Sequence, residues 1–114
     1  WDLTWCGGEY SHYDAIGKTP KGFDCVVEFK LRQAYYPTKI LEKYKYDKLM
    51  AEDCMKFYYV FDIKGNYLYH LDKLDLPEIE TRSLQHTTYF ENNNIISKQC
   101  YMLSESMASI IVRY

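Results

Sequence analysis

The sequence lacks the features that mark membrane proteins, zinc modules and repeat arrays. No apolar stretch approaches the roughly 18–20 residues that a membrane span needs, and no signal peptide is visible. The four cysteines form no CxxC pair, and the three histidines are not at zinc-site spacing from them. There are no internal repeats and no low-complexity tract. These absences argue against a membrane partner and against a structural zinc.

The cysteines lack the arrangement of a disulfide framework. Cys25 and Cys100 lie inside apolar runs, a setting typical of buried thiols. We therefore expect a reducing, cytoplasmic environment.

What the chain does have is an ordinary globular balance with many aromatic residues. It is 114 residues long, with 47% apolar and 26% charged residues, which suits one domain with a single core. Aromatic residues make up 18% of the chain, and thirteen of them are Tyr. Since Tyr and Phe favour strands, the composition predicts a fold that contains a sheet.

The net charge of −2 argues mildly against a nucleic-acid partner, but the charges are unevenly placed. Residues 18–48 carry eight Lys or Arg against four Asp or Glu, and both flanking segments are acidic. A basic central segment is one way to form a local patch for a phosphate backbone. A solvated surface with uneven charge explains the same pattern, and charge alone favours that explanation.

The hydrophobic pattern predicts a mixed sheet with one main helix on a face, an α/β (α+β) fold. The helix is expected over residues 38–55, with Thr38 as its N-cap and an apolar stripe of Ile40, Tyr44, Ala51 and Met55. A hairpin turn is expected at Lys64-Gly65-Asn66. Residues 72–94 look irregular, with a short helix after Pro77. Strands are expected over residues 10–18, 24–32, 56–63, 67–71, 95–103 and 109–114.

The strand over residues 24–32 has two different faces, because successive side chains alternate. Cys25, Val27, Phe29 and Leu31 form an apolar face, which we expect to cover the core against the helix. Asp24, Val26, Glu28 and Lys30 form the other face, where a carboxylate and an amine stand two residues apart.

A five-residue hairpin loop at residues 19–23 would pair Lys18 with Asp24 and bring Asp14 opposite Glu28. His12 would then lie opposite Lys30. Directly opposed residues have Cβ atoms about 4.5–5.5 Å apart, where two carboxylates repel. A divalent cation between them removes the conflict, and hard oxygen ligands suit Mg²⁺ or Mn²⁺.

Asp14, followed after thirteen residues by Glu28-Phe29-Lys30 in an apolar strand, resembles the PD-(D/E)XK (restriction-endonuclease-like) nuclease superfamily. The resemblance covers roughly residues 10–71 and includes the order of the following helix and strand. It implies a restriction-endonuclease-like mixed sheet and phosphodiester hydrolysis in DNA, less probably in RNA. Asp14, Glu28 and the Phe29 backbone carbonyl would hold the metal, and Lys30 would orient or deprotonate the attacking water.

The resemblance also names further candidate residues. Glu9 and His12 are additional candidate metal ligands, and Gln33 and Lys45 are candidate substrate-phosphate contacts. A solvated role is at least as probable for Gln33 and Lys45, and His12 is more often a plain polar strand residue.

The sequence departs from the family in two ways. Tyr13 stands where the motif name has Pro. Many relatives vary at this position, so the difference weakens the resemblance only slightly. Only nine residues precede the first strand, so residues 1–114 form a single core domain whose usual N-terminal helix is missing or comes from a partner chain. A homodimer paired through the C-terminal strand is another option, and that strand could equally lie inside the sheet. The competing function is a non-catalytic binding or inhibitor module with the same fold.

Overall fold

The computed structural model describes residues 1–7, 12–85 and 95–114. A larger sheet has the strand order β1 (Asp2–Trp5), β2 (Ala15–Lys18), β3 (Asp24–Leu31), β5 (Met55–Asp62), β6 (Gly65–His70) and β9 (Ile110–Arg113). A smaller sheet has the order β4 (Thr38–Glu42), β8 (Ile95–Ser104) and β7 (Glu80–Gln85). The described residues contain one α-helix, α1 (Lys43–Met50), and two 3₁₀ helices, Leu71–Lys73 and Glu105–Met107.

This is a mixed α+β fold, mostly sheet with one α-helix in the described residues, as the hydrophobic pattern predicted, but its strands form two sheets rather than one. In the larger sheet, β3 and β5 run parallel and every other pair is antiparallel. The chain between β3 and β5 forms β4 and α1, so this crossover places both elements against the sheet. No helix in the described part of the chain is long and apolar enough to cross a membrane.

The main core lies on the face of the larger sheet that carries Val26 and Glu28, which we call the inner face. Here Val26 and Tyr58 pack with Leu41 of β4, Leu49 of α1 and Leu103 of β8. The prediction that the Cys25–Leu31 face would meet the helix is therefore wrong. The inner face receives its apolar side chains from neighbouring strands, which the alternation of β3 alone does not reveal.

The opposite, outer face is covered in its centre by its own aromatic side chains. Trp1 packs edge-on against Phe57, with ring centroids 4.9 Å apart, and Trp5 stacks on Phe29 at 6.3 Å. Cys25 is fully buried beneath this layer, whereas Leu31 at the end of β3 is 79% exposed. Strand β3 thus has buried residues on both faces, so even its charged position, Glu28, is inside the protein.

The predicted helix over residues 38–55 is wrong at both ends, because Thr38–Glu42 forms β4, α1 ends at Met50, and Met55 begins β5. Thr38 and Ile40 are β-branched and favour a strand, and the buried side chains of Lys39 and Leu41 alternate with partly buried ones. The helix begins at Lys43, and its N-cap is Glu42 in an extended conformation rather than Thr38. The predicted stripe does not exist as a helical face, since α1 buries Leu49.

The hairpin between β5 and β6 turns at Ile63-Lys64, one residue earlier than predicted. The Asp62 side chain makes this turn, because its Oδ1 accepts hydrogen bonds from the backbone N–H of Lys64 at 2.8 Å and of Gly65 at 3.1 Å. Gly65 is instead a strand residue beside β9. A Cβ on Gly65 would lie 2.1 Å from the Val112 carbonyl oxygen, so glycine permits this close strand pairing.

The segment predicted to be irregular contains strand β7, and residues 74–79, which include Pro77, form no helix. Strand β7 is an edge strand whose residues 80–83 are all exposed, so it has no apolar alternation to reveal it. Residues 86–94 lie outside the described residues. The two late strands are confirmed as β8 and β9. Strand β9 is at the edge of the larger sheet, with all four side chains exposed, and a homodimer through it stays a prediction.

A buried ion pair joins the two sheets. Lys39 of β4 donates a hydrogen bond from Nζ to Oδ2 of Asp62 on β5 at 2.9 Å, and both side chains are almost fully buried. The Lys39 ammonium also donates to the Tyr36 carbonyl at 2.6 Å and lies 3.9 Å from the Tyr67 ring centroid. Buried charges need this kind of complete pairing.

We expect Lys39→Met to destabilise the protein by about 3–5 kcal/mol, because it leaves the buried Asp62 carboxylate without its counter-charge. Urea unfolding followed by circular dichroism measures the change in the free energy of unfolding. Lys43→Met is the control, since the Lys43–Asp47 pair lies on the surface of α1 and should contribute less than about 1 kcal/mol. Equal losses in the two variants would contradict the role of the buried pair.

Candidate active site

The pairing of β2 with β3 confirms the register predicted from the sequence. Lys18 pairs with Asp24 and Ile16 with Val26. Residues 19–23 form the loop, in which the Thr19 N–H donates to the Phe23 carbonyl at 2.9 Å. The register matters because it determines which side chains stand beside Glu28.

The ladder itself ends at the Ala15–Val27 pair, so Asp14 lies just beyond β2 rather than within it. Its backbone N–H still donates to the Val27 carbonyl at 3.0 Å. Its side-chain Oδ2 accepts a hydrogen bond from the Phe29 N–H at 2.8 Å. These two bonds, made on either side of Glu28, fix the Asp14 carboxyl group beside that residue.

Asp14 and Glu28 are therefore brought together, as predicted, close enough that the Asp14 carboxyl group affects the pKa of Glu28. Glu28 is only 7% exposed. Burial is the largest cause that raises the pKa of Glu28 to about 7, and the neighbouring Asp14 raises it further. Lys45 acts in the opposite direction, because its Nζ lies 3.4 Å from Glu28 Oε1. The pair thus holds a proton near neutral pH that a divalent cation would have to displace.

Lys30 is a half-buried ammonium group on the same face as Glu28. Burial lowers the pKa of Lys30, and the positive charges of Arg32 and Lys45 lower it further, while Glu42 and Glu28 oppose them. Within the described residues Lys30 forms no ion pair. Glu42, the carboxylate with the larger effect on it, is instead paired with Lys98 at 2.5 Å. A lysine in this state gives up a proton more readily than a solvated one.

The candidate substrate residues have different surroundings. Lys45 lies on α1 and reaches into the site, where it contacts Glu28. Gln33 is exposed in the bend that follows β3 and makes no side-chain contact in the described part of the chain.

Of the two additional candidate ligands, His12 does not join the carboxylate pair. The predicted position of His12 opposite Lys30 is wrong, because the ladder stops at Ala15 and the His12 Nδ1 lies 3.4 Å from Glu52 Oε1, beyond the end of α1. Glu9 lies outside the described residues.

Arg32 and Glu42 are site neighbours that the sequence reasoning missed. Arg32 continues the alternation of β3, two residues after Lys30, and its backbone N–H donates to the Phe61 carbonyl at 2.8 Å. This spacing of two residues was the sequence signal that could have identified Arg32. Glu42 was missed because it was assigned to the predicted helix.

The available donors fit a single divalent cation with two carboxylates and one carbonyl. Residues in a strand direct their N–H and C=O to the same side, so the Phe29 carbonyl faces the side on which its N–H contacts Asp14. Gly7 leaves room there, since a Cβ on it would lie 3.2 Å from Asp14 Oδ1. Among residues 1–7, 12–85 and 95–114, however, no three His, Cys, Asp or Glu side chains form a metal-binding group. Waters would have to complete the shell, as Mg²⁺ commonly requires.

No protein-family model matches this chain, and neither does a curated protein or a solved structure.

The raised pKa of Glu28 predicts a pH-dependent stability in EDTA, where no divalent cation holds the residue ionised. Between about pH 4.5 and 7 the folded chain keeps a proton on Glu28 that the unfolded chain has released. As the pH rises from about 4.5 to 7, the free energy of unfolding should therefore fall by up to about 3 kcal/mol, and it should level off above pH 7. Urea unfolding at a series of pH values measures this contribution as the difference between wild type and Glu28→Gln. The same slope in both proteins would show that Glu28 titrates normally.

Proposed function

We propose that this protein is a Mg²⁺- or Mn²⁺-dependent nuclease that hydrolyses phosphodiester bonds of DNA. The observation that carries the proposal is the Asp14–Glu28 carboxyl pair, in which the Phe29 N–H holds Asp14 in place. Lys30, which forms no ion pair with the described residues, is next along the same face. A buried acidic pair beside a half-buried cation is costly for the fold and is typical of catalytic sites.

In this proposal Asp14, Glu28 and the Phe29 carbonyl bind the cation. When bound, the cation would polarise the phosphodiester and lower the pKa of a coordinated water. Glu28 gives up its proton on loading, which restores the second negative charge of the pair. Lys30 stands two residues along β3, where it orients or deprotonates the attacking water and offsets charge that develops on the phosphate.

The chain order supports a restriction-endonuclease-like core for residues 1–114. Strands β2 and β3 form a hairpin that carries the acidic pair, and α1 and the parallel strand β5 follow. No disulfide bond joins the four cysteines among the described residues, which fits a cytoplasmic protein. A ribonuclease with the same core would use the same residues.

A non-catalytic binding or inhibitor module is the alternative, and one contact favours it. Lys45 Nζ lies 3.4 Å from Glu28 Oε1 and neutralises part of the charge that a cation would neutralise. A module of this kind would keep the pair as a structural feature and would not need a metal.

Mn²⁺ titration with supercoiled plasmid, single-stranded DNA and RNA tests metal use, activity and substrate together. We expect cleavage that depends on Mn²⁺ or Mg²⁺, with a rise in melting temperature on metal addition. Glu28→Gln should lose the metal-dependent rise, and both Glu28→Gln and Lys30→Ala should lose at least about 100-fold in cleavage rate, within the range of acid–base catalysis. Lys21→Ala is the control, because Lys21 is an exposed loop residue at the opposite end of β3.

Cleavage by Lys30→Ala at the wild-type rate would overturn the assigned role of Lys30. A wild-type protein that neither binds metal nor cleaves would favour the non-catalytic module. Preference for RNA over both DNA substrates would keep the site and change the substrate.

A further inference from the structure

A cavity of about 390 Å³ lies between the two sheets, beyond the end of β3. This volume is within the range of small-molecule sites, which is about 300–1,000 Å³. Its walls include Arg32, Tyr36, Ile40, Tyr58, Arg82 and Met102. The cavity is lined by the same inner face of the larger sheet that carries Glu28 and Lys30.

The charge of the cavity is set by two arginines from opposite sheets. Lys39 and Asp62 also line it, but they neutralise each other in their buried pair. Arg32 forms no side-chain hydrogen bond or ion pair with the described residues. Among the described residues, Arg82 is paired only with Glu80 at 3.2 Å, in an exposed contact that contributes little. Both guanidinium groups are thus available to an anion, and their planar forks match phosphate oxygens.

The remaining walls are apolar or aromatic. Ile40, Val60 and Met102 contribute aliphatic surface, and Tyr36 and Tyr58 contribute rings. Tyr58 is almost fully buried and its hydroxyl donates to the Ile40 carbonyl at 2.7 Å, so the exposed Tyr36 is the ring that a ligand can stack on. A cationic rim beside apolar and aromatic walls suits a ligand with a phosphate on one side and a flat ring system on the other.

The cavity adjoins the proposed active site. Arg32 follows Lys30 by two residues along β3, which corresponds to about 6.6 Å. The two side chains are close enough that the charge of Arg32 lowers the pKa of Lys30. A polynucleotide whose scissile phosphate lies at Glu28 and Lys30 can therefore place its next nucleotide in the cavity.

We infer that this cavity binds the nucleotide that flanks the scissile phosphodiester, with the phosphate at Arg32 and Arg82 and the base against Tyr36 and Met102. The assignment of the flanking position rests on the proposed nuclease function. The capacity of the cavity to bind a nucleoside monophosphate does not depend on cleavage.

Calorimetric titration with 2′-deoxyadenosine 5′-monophosphate in EDTA tests the site without any cleavage. We expect binding to the wild type, a loss of at least about tenfold in affinity for Arg32→Gln and for Arg82→Gln, and a smaller loss for Arg32→Lys, which keeps the charge but not the fork. Lys21→Gln makes the same charge change at the far end of β3 and should bind as the wild type. Melting temperatures confirm that each variant is folded.

Separate titrations with inorganic phosphate and with deoxyadenosine distinguish the two halves of the site. Each should bind at least about tenfold more weakly than the nucleotide. Phosphate binding as tight as nucleotide binding would overturn the assignment of the apolar walls to a base. Wild-type affinity in both arginine variants, or no nucleotide binding at all, would overturn the site.

Cleavage assays separate this inference from the proposed function. Arg32→Gln should raise KM for DNA more than it lowers kcat. Arginine-dependent nucleotide binding in a protein that never cleaves would overturn the nuclease proposal and the flanking role, while the nucleotide site would stand. Metal-dependent cleavage with an unchanged KM in Arg32→Gln would overturn the flanking role alone.

Discussion

The buried Lys39–Asp62 ion pair is the contact on which the two-sheet arrangement depends. It is one of the few polar links across an otherwise apolar and aromatic interface, and it joins β4 of the smaller sheet to β5 of the larger one. Asp62 also shapes the turn into β6 through its other oxygen. Strand β5 is paired with β3 over Met55–Phe61. Because the Lys39–Asp62 ion pair links β4 to β5, it also sets the position of the smaller sheet over Glu28 and Lys30.

The placement of β3 explains the chemistry of the candidate site. Its outer face is covered by aromatic rings and its inner face by α1 and the smaller sheet, so Glu28 is buried and Lys30 is half-buried. Burial moves the pKa of the acid up and that of the amine down, and both shifts bring the groups closer to neutral pH. The same covering layer creates the cavity beyond Lys30. The packing of α1 and the smaller sheet on β3 thus produces both the pKa shifts of Glu28 and Lys30 and the cavity.

The sequence predicted the site better than the fold around it. The register of β2 and β3 followed from a short loop and from strict alternation, which are local properties, and it brought Asp14 beside Glu28. The second sheet was missed because two of its three strands, β4 and β7, are recognisable only from their pairing with β8. Thr38–Glu42 resembles the first turn of an amphipathic helix, and its pairing with β8, about sixty residues later in the chain, makes it a strand. The first four residues of β7 are polar and exposed, so they show no apolar alternation.

The limits at the site have the same origin. Alternation predicts which side chains share a face of β3, but it does not say which layer covers that face, and so the helix was expected on the wrong side. His12 was assigned by extending the ladder past the point where it ends. Arg32 was within reach of the same reasoning, since it is the next inner-face residue after Lys30, but its importance appears only once the cavity is visible.

The aromatic layer on the outer face has a spectroscopic consequence. The chain contains two tryptophans, and Trp1 and Trp5 both belong to this layer, at the N-terminal edge of the larger sheet. Intrinsic fluorescence therefore reports on one face and one edge of the molecule. Trp5 also lies close to the acidic pair, because a Cβ on Gly7 would lie 2.7 Å from the Trp5 ring and 3.2 Å from Asp14 Oδ1. A ligand at Asp14 and Glu28 would therefore change the Trp5 emission directly, and early detachment of β1 would register as apparent unfolding while the two-sheet core was still intact.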